Sequence, residues 1–388
     1  MIYFLSTEVN KHPFRNYLKD WGLNLILQVN FITYEQIIRY KYIPYGTYIF
    51  SDVEFLTPVQ AEEVAKIWQR LSTIKNLRLL NHPLLSMKRY ELLRTLYYHG
   101  SNEFNVYHLD EYDDDKIPNK FPVFLRVTND HQGPTTQLLN TREELDRVIN
   151  ELSRQGKSKE NRMITEYSDT SDDSGIFRKY SALIIGERII PFSMFLGFSW
   201  MLKNSGNAQT EKAKKMRNLE ETEYLETNPH ESELRKIFQT ARINYGRIDY
   251  SVLAGKIQTW EINSNPAGFT TEQSNQDCLV FGMPIHKYLS KEMKLAFEEI
   301  DCQTEYTKPI KISTEFENVD LKFPMVNHKK LKLLCLALLP YPYKTYHYRL
   351  LRKVQIRKLQ TLLVSLNRKV IDSPGHNEVI TKDRRLRL

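Results

Sequence analysis

The sequence predicts a mixed fold of an α/β unit over residues 1–80, an α+β unit over 81–300, and a basic, mainly helical extension over 301–388. Three observations lead there. Short apolar strands alternate with amphipathic stretches near the start, hairpin patterns dominate the middle, and positive charge collects at the end. At 388 residues the chain is two to three domains long. With 41% hydrophobic and 26% charged residues, and only 14 Gly and 16 Pro, it has the make-up of a packed protein, not of a disordered or collagen-like one.

Met1–Leu5 and Thr47–Ser51 read as buried strands, each apolar and followed by polar residues. Thr57 and Gln60 form a capping box, Pro58 takes the first helical position, and Val64, Ile67, Trp68 and Leu71 follow at helical spacing. These elements make residues 1–80 Rossmann-like. No GxGxxG is present, so a dinucleotide site has no support. Ser86 is positioned to cap a helix carrying Leu92, Leu93, Leu96 and Tyr97, which ends at Gly100. The acidic stretch 108–120 reads as a loop, Phe121–Val127 as a strand, and 130–136 as a turn. Thr141 and Glu144 form a second capping box, ahead of Leu145, Val148, Ile149 and Leu152. Met163–Tyr167 is a further strand, and Ile176–Phe195 a hairpin around Gly186 and Glu187. Lys203–Glu233 is rich in charge and reads as a nearly core-free loop or solvated helix.

Gly246–Pro266 reads as a hairpin turning near Ala254-Gly255, and it carries the chemistry. Whether Asp249 shares a face with Glu261 and Asn263 depends on the turn. A three-residue loop, Leu253-Ala254-Gly255, is expected, since it puts Gly at the last, left-handed position, and it sets all three on one face; a two-residue turn would separate Asp249 from the others. On one face, two carboxylates and an amide oxygen make a hard-oxygen set suited to Mg²⁺, while the alternative is a solvated polar face.

The order of NHP at 81–83, a lysine-bearing helix, FPVFLR at 121–126, a glycine turn, ITEY at 164–167, RIDY at 247–250 and WEINSNP at 260–266 resembles the ATP-grasp superfamily. The likeness runs from about Leu79 to Pro284 and is to carboxylate–amine ligases of the ribosomal-protein glutamate ligase and glutathione synthetase type. It implies an ATP-grasp domain over 81–300 behind a Rossmann-like domain, and ATP and Mg²⁺ as cofactors. It implies that Asp249, Glu261 and Asn263 hold Mg²⁺, that Lys88 and Arg126 meet the phosphates, that His131 and Gly133 lie in the phosphate-covering turn, and that Glu166 binds the ribose hydroxyls. Arg126 stands where the family usually carries lysine, and the turn has one glycine where several are common. Arg247, two residues before Asp249, is placed to neutralise a phosphorylated intermediate. Arg178 and Lys179 alternate sides of a strand, and Lys179 is taken as the one facing the cleft. Trp200 and Lys203 are read as lining the acceptor side.

The expected reaction activates a carboxylate as an acyl phosphate and joins it to an amine. Three other readings stay open: a kinase or phosphotransferase using the same nucleotide site, a non-catalytic nucleotide-binding module, and a nucleic-acid-binding protein acting through the basic end. The three cysteines, Cys278, Cys302 and Cys335, are far apart and form no CxxC, which argues against a disulfide scaffold or a cysteine zinc site. The longest apolar run, Leu333–Leu339, is far below the roughly 20 residues of a membrane span. A cytoplasmic location follows as the expectation. From residue 329 onward there are 15 Lys and Arg against 3 Asp and Glu, a surplus of 12, whereas the first 328 residues carry 40 and 44. Leu351, Val354, Leu359, Leu362, Leu363 and Leu366 recur there at near-helical spacing. The expected partner of residues 329–388 is an anionic membrane surface, with peripheral association, or an acidic partner; nucleic acid is the less favoured one.

Overall fold

The computed structural model describes residues 1–10, 14, 17–18, 22, 25–26, 28–40, 42–113, 118–129, 133–202, 211–266, 278–302 and 310–311, without the side chains of 211–212. The chain divides into Met1–Leu321 and Lys322–Leu388, and every described residue belongs to the first unit. The expectations for residues 329–388, His131 and Lys203 therefore lie outside the described residues. Among the described residues no helix is long and apolar enough to cross a membrane.

The first strands are β1 (Ile2–Ser6), β2 (Val29–Thr33), β3 (Tyr42–Ile43), β4 (Thr47–Phe50) and β5 (Arg78–Leu80). A four-stranded sheet of order β2-β1-β4-β5 is parallel throughout. All five residues of β1 and all four of β4 are buried, as the unbroken apolar runs require of central strands covered on both faces. The Pro58–Ser72 helix links β4 to β5, and its start follows the sequence: Thr57 accepts from the Gln60 amide, Gln60 returns the bond, and Pro58 stands first.

A second sheet of order β6-β8-β7 is built from β6 (Val106–His108), β7 (Val123–Val127) and β8 (Arg162–Glu166). Its helix, Arg142–Arg154, packs Leu145 and Ile149 against Val123, Leu125 and Ile164. Thr141 caps that helix, but the Glu144 carboxylate accepts from Asn140 rather than from Thr141. Ser86 does not cap the Arg89–Tyr98 helix. That helix has Lys88 as its N-cap, and the Ser86 hydroxyl accepts from the His82 amide and donates to the Arg242 carbonyl, closing a turn.

The largest antiparallel sheet, β10-β9-β11-β12, comprises β9 (Phe177–Ile185), β10 (Arg188–Gly197), β11 (Tyr245–Leu253) and β12 (Lys256–Asn263). Glu211–Thr227 and Glu231–Ala241 are helices, and the core-free expectation for Lys203–Glu233 is corrected by Tyr224 and Leu225, which are buried. After β13 (Leu279–Val280) and β14 (Met283–Pro284), the Ile285–Ile300 helix buries Leu289, Met293 and Phe297, and β15 (Ile310–Lys311) pairs with β3.

The β11–β12 turn is the two-residue form, since Leu253 pairs with Lys256 and both Ala254 and Gly255 have positive φ. Uninterrupted, that turn would put Asp249 and Glu261 on opposite faces. A bulge restores the match: Tyr250 pairs with Thr259 while Asp249 pairs with Glu261, so one extra residue, Trp260, enters β12 and reverses its parity. The expected three-residue loop is thus wrong, yet the shared face that it was invoked to explain is present.

Candidate active site

β11 and β12 bring Asp249 opposite Glu261 and Arg247 opposite Asn263. Residues in direct antiparallel register share a face, so all four point the same way. They line a cavity of about 590 Å³ together with Arg126, Gly133, Lys179, Ser251 and Asn265. Phe124, Tyr167, Phe177 and Trp200 line it as well, and Asn10, Asp52 and Phe55 do so from the segments that follow β1 and β4.

Asp249 is buried and sits among cations. Its Oδ1 accepts from Arg247 Nε and Ser181 Oγ, both at 3.0 Å, and its Oδ2 lies 3.4 Å from Lys179 Nζ. Lys179 also lies over the Phe195 ring at 5.4 Å, and Arg247 over that of Phe192 at 5.8 Å. Arg178 turns to the other side of β9, where Asp172 and Glu220 bind it at 2.6 Å and, with hydrogen bonding as the main cause, hold its pKa above the ordinary arginine value. Strand alternation thus leaves Lys179 as the member of the pair that reaches the cavity.

Glu261 is gripped more tightly. Arg126 reaches its Oε2 at 3.1 Å, and Arg89 contacts the same oxygen. Arg89, with a side chain 5% exposed, also donates to the carbonyls of Thr128 at 2.8 Å and Val127 at 3.2 Å. The sequence reading missed Arg89 and chose Lys88, its neighbour. Lys88 does not line the cavity; its Nζ reaches the Leu56 carbonyl at 3.4 Å. As the first residue inside the helix, Arg89 turns inward where the N-cap does not.

Glu166 is also misplaced by the sequence reading. It is 0% exposed and absent from the cavity wall. Its Oε1 accepts from Tyr107 Oη and the amides of Asn119 and Lys120, and its Oε2 accepts from the Asn105 amide. Fully buried and held by four donors from within the protein, the carboxylate presents no oxygen to the cavity. With burial as the main cause, the Tyr107 phenol is pushed up to about 12.

Asn263 Oδ1 accepts from the Asn265 amide at 2.8 Å, and Asn265 Nδ2 donates to the Asn10 carbonyl at 2.7 Å. Asp52, in the left-handed region at φ 65°, accepts from the Thr7 amide at 3.1 Å and Asn10 Nδ2 at 3.0 Å. The end of β12 is thereby tied to the carboxyl ends of β1 and β4. Trp200 lies 5.1 Å from Phe124 and 5.9 Å from Tyr167, centroid to centroid.

No group of three or more His, Cys, Asp or Glu is gathered among the described residues; Asp249, Glu261 and Asn263 offer two carboxylates and an amide oxygen on the cavity side of the β11–β12 hairpin. Three hard oxygen donors on one strand face suit Mg²⁺, which takes few protein ligands and fills the rest of its shell with water and phosphate. The donor set fits that ion.

No known family model and no curated protein matches the chain. Among solved structures, a D-alanine–D-alanine ligase from Bacillus anthracis, complexed with ATP, is similar at 11% identity, 77% coverage of this chain, 99% of the other, and a TM-score of 0.41. An L-amino acid ligase from Bacillus licheniformis is similar at 14% identity, 76% and 74% coverage, and a TM-score of 0.40.

Proposed function

We propose that the cavity binds ATP with Mg²⁺ and that the protein is an ATP-dependent carboxylate–amine ligase. The observation that carries this reading is the opposition of Asp249 to Glu261 and of Arg247 to Asn263 on one face, inside a cavity of about 590 Å³. That size falls within the roughly 300–1,000 Å³ of small-molecule sites. The aromatic rings of Phe124, Tyr167 and Trp200, the last expected on the acceptor side, suit a nucleobase, and the cations Arg126, Lys179 and Arg247 suit phosphates.

Asp249, Glu261 and Asn263 would hold the metal, whose chemistry is to neutralise phosphate charge and polarise the transferred group. Arg126 is the phosphate-side cation of β7. Lys179 and Arg247 flank Asp249 and hold positive charge where a carboxylate has to approach the terminal phosphate. The carboxylate oxygen attacks phosphorus, the bridging P–O bond breaks, and ADP leaves. The amine nitrogen then attacks the acyl carbon, phosphate departs with the C–O electrons, and the nitrogen loses a proton. Both nucleophiles in this scheme, the carboxylate oxygen and the amine nitrogen, belong to the substrates.

Hydroxylamine trapping tests this reading. With ATP, Mg²⁺ and a panel of amino acids and short peptides, a hydroxamate should form in step with ADP. ADP formation with a phosphorylated alcohol and no hydroxamate would instead make the protein a kinase.

A further inference from the structure

A second cavity, of about 340 Å³, lies apart from the first, and the ligase reading does not use it. It is lined by His82 beyond β5, by Glu187 in the β9–β10 turn, by Trp68, Arg235 and Phe238 from two helices, and by Arg242 and Asn244 ahead of β11. Its polar groups are unbalanced. Arg235 is engaged by Glu231 at 2.7 Å and by the Glu187 carbonyl at 2.9 Å, with the Glu187 carboxylate at 3.6 Å. That accounts for the one acid on the wall.

The donors outnumber it. The Arg242 guanidinium has no ion pair or hydrogen bond among the described residues, and its charge acts on His82. His82 Nδ1 accepts from the Leu84 and Leu85 amides at 3.1 and 3.2 Å, which assigns the proton to Nε2. Nε2 then donates to none of the described residues. With burial first and Arg242 second, the His82 pKa is held below the ordinary histidine value, so the ring is a neutral donor near pH 7. Asn244 uses its Oδ1 for the Asn81 amide at 2.7 Å, which leaves its Nδ2 as a third donor without a partner among the described residues.

We infer that this cavity binds the phosphate group of a small phosphate monoester, through Arg242, His82 Nε2 and Asn244 Nδ2. Three donors from three positions match the three terminal oxygens of a phosphate better than the two of a carboxylate. The volume exceeds that of inorganic phosphate, and Trp68, Leu79 and Phe238 supply an apolar wall for the organic part. The site is joined to β11. Asn81 accepts from the Asn244 and Tyr245 amides at 3.0 Å each and donates to the Tyr245 carbonyl at 2.8 Å, and Tyr245 opens the strand that carries Arg247 and Asp249.

Calorimetry with phenyl phosphate, inorganic phosphate and benzoate on the full chain tests it. Arg242→Asn is the informative variant, because Arg242 is left-handed at φ 54° and asparagine tolerates that backbone. Phenyl phosphate should bind more tightly than inorganic phosphate or benzoate, and Arg242→Asn should weaken it at least about tenfold, the effect of losing one charge-assisted contact. Arg126→Gln, in the larger cavity, should leave that binding in place. Unchanged binding in Arg242→Asn, its loss in Arg126→Gln alone, no binding to the unaltered chain, or equal binding of benzoate would each overturn the proposal. None of these readouts depends on ligase activity, so this inference and the ligase reading stand or fall separately.

Discussion

Asp249→Asn is expected to cut ADP formation by about a hundredfold to a thousandfold, the usual cost of losing one preorganised electrostatic group in a site, while the protein stays folded. The substitution removes a ligand charge and hardly changes shape. Asparagine can still accept from Ser181 Oγ, and the cations left behind, Lys179 and Arg247, are 21% and 19% exposed, so water and the cavity can solvate them. Glu261→Gln should match it in lost turnover but not in stability, since it strips the counter-charge from the far more buried Arg89. Steady-state ADP release beside a urea unfolding curve separates the two. Turnover within a few-fold of the unaltered protein in both variants would remove Asp249 and Glu261 from the metal site.

Arg89→Met should be among the most destabilising single changes in the described fold, at about 3–5 kcal/mol, the range for breaking a buried ion pair from one side. Glu261 would keep Arg126 at 3.1 Å, but the carbonyls of Val127 and Thr128 would lose their donor. Each buried acceptor left unsatisfied adds roughly 1–3 kcal/mol of its own. Arg89→Lys should recover only part of the loss, because a compact ammonium cannot span three acceptors as a planar fork does. Chemical denaturation of the three proteins checks this order, and a loss under about 1 kcal/mol in Arg89→Met would show that the buried pair carries little.

These two residues also show how far the sequence could be read. The hairpin of β11 and β12 was legible because its apolar and β-branched residues flank a turn signal at Ala254-Gly255. Its register was not legible, because parity depends on the bulge at Trp260, and nothing local marks a residue that is accommodated by its neighbours in three dimensions. Helix starts at Thr57 and Thr141 were legible, since a cap is a local hydrogen bond. The choice between Lys88 and Arg89 was not. It turns on which helix position looks toward β7 and β12, and Glu261 lies 172 residues away. Glu166 failed for a related reason: the amides that hold it belong to Asn105, Asn119 and Lys120, from loops with no pattern of their own. Alternation along β9, in contrast, was enough to show that only one of Arg178 and Lys179 faces the cavity, though not which.

Equilibrium binding of ATP to the full chain, with Mg²⁺ and then with chelator, tests the central claim most directly. The arrangement of Asp249, Glu261 and Asn263 against Arg126, Lys179 and Arg247 predicts binding with Mg²⁺ that weakens by at least about tenfold without it, and the same weakening in Asp249→Asn with Mg²⁺ present. Equal affinity with and without the metal, or no binding of ATP at all, would contradict it.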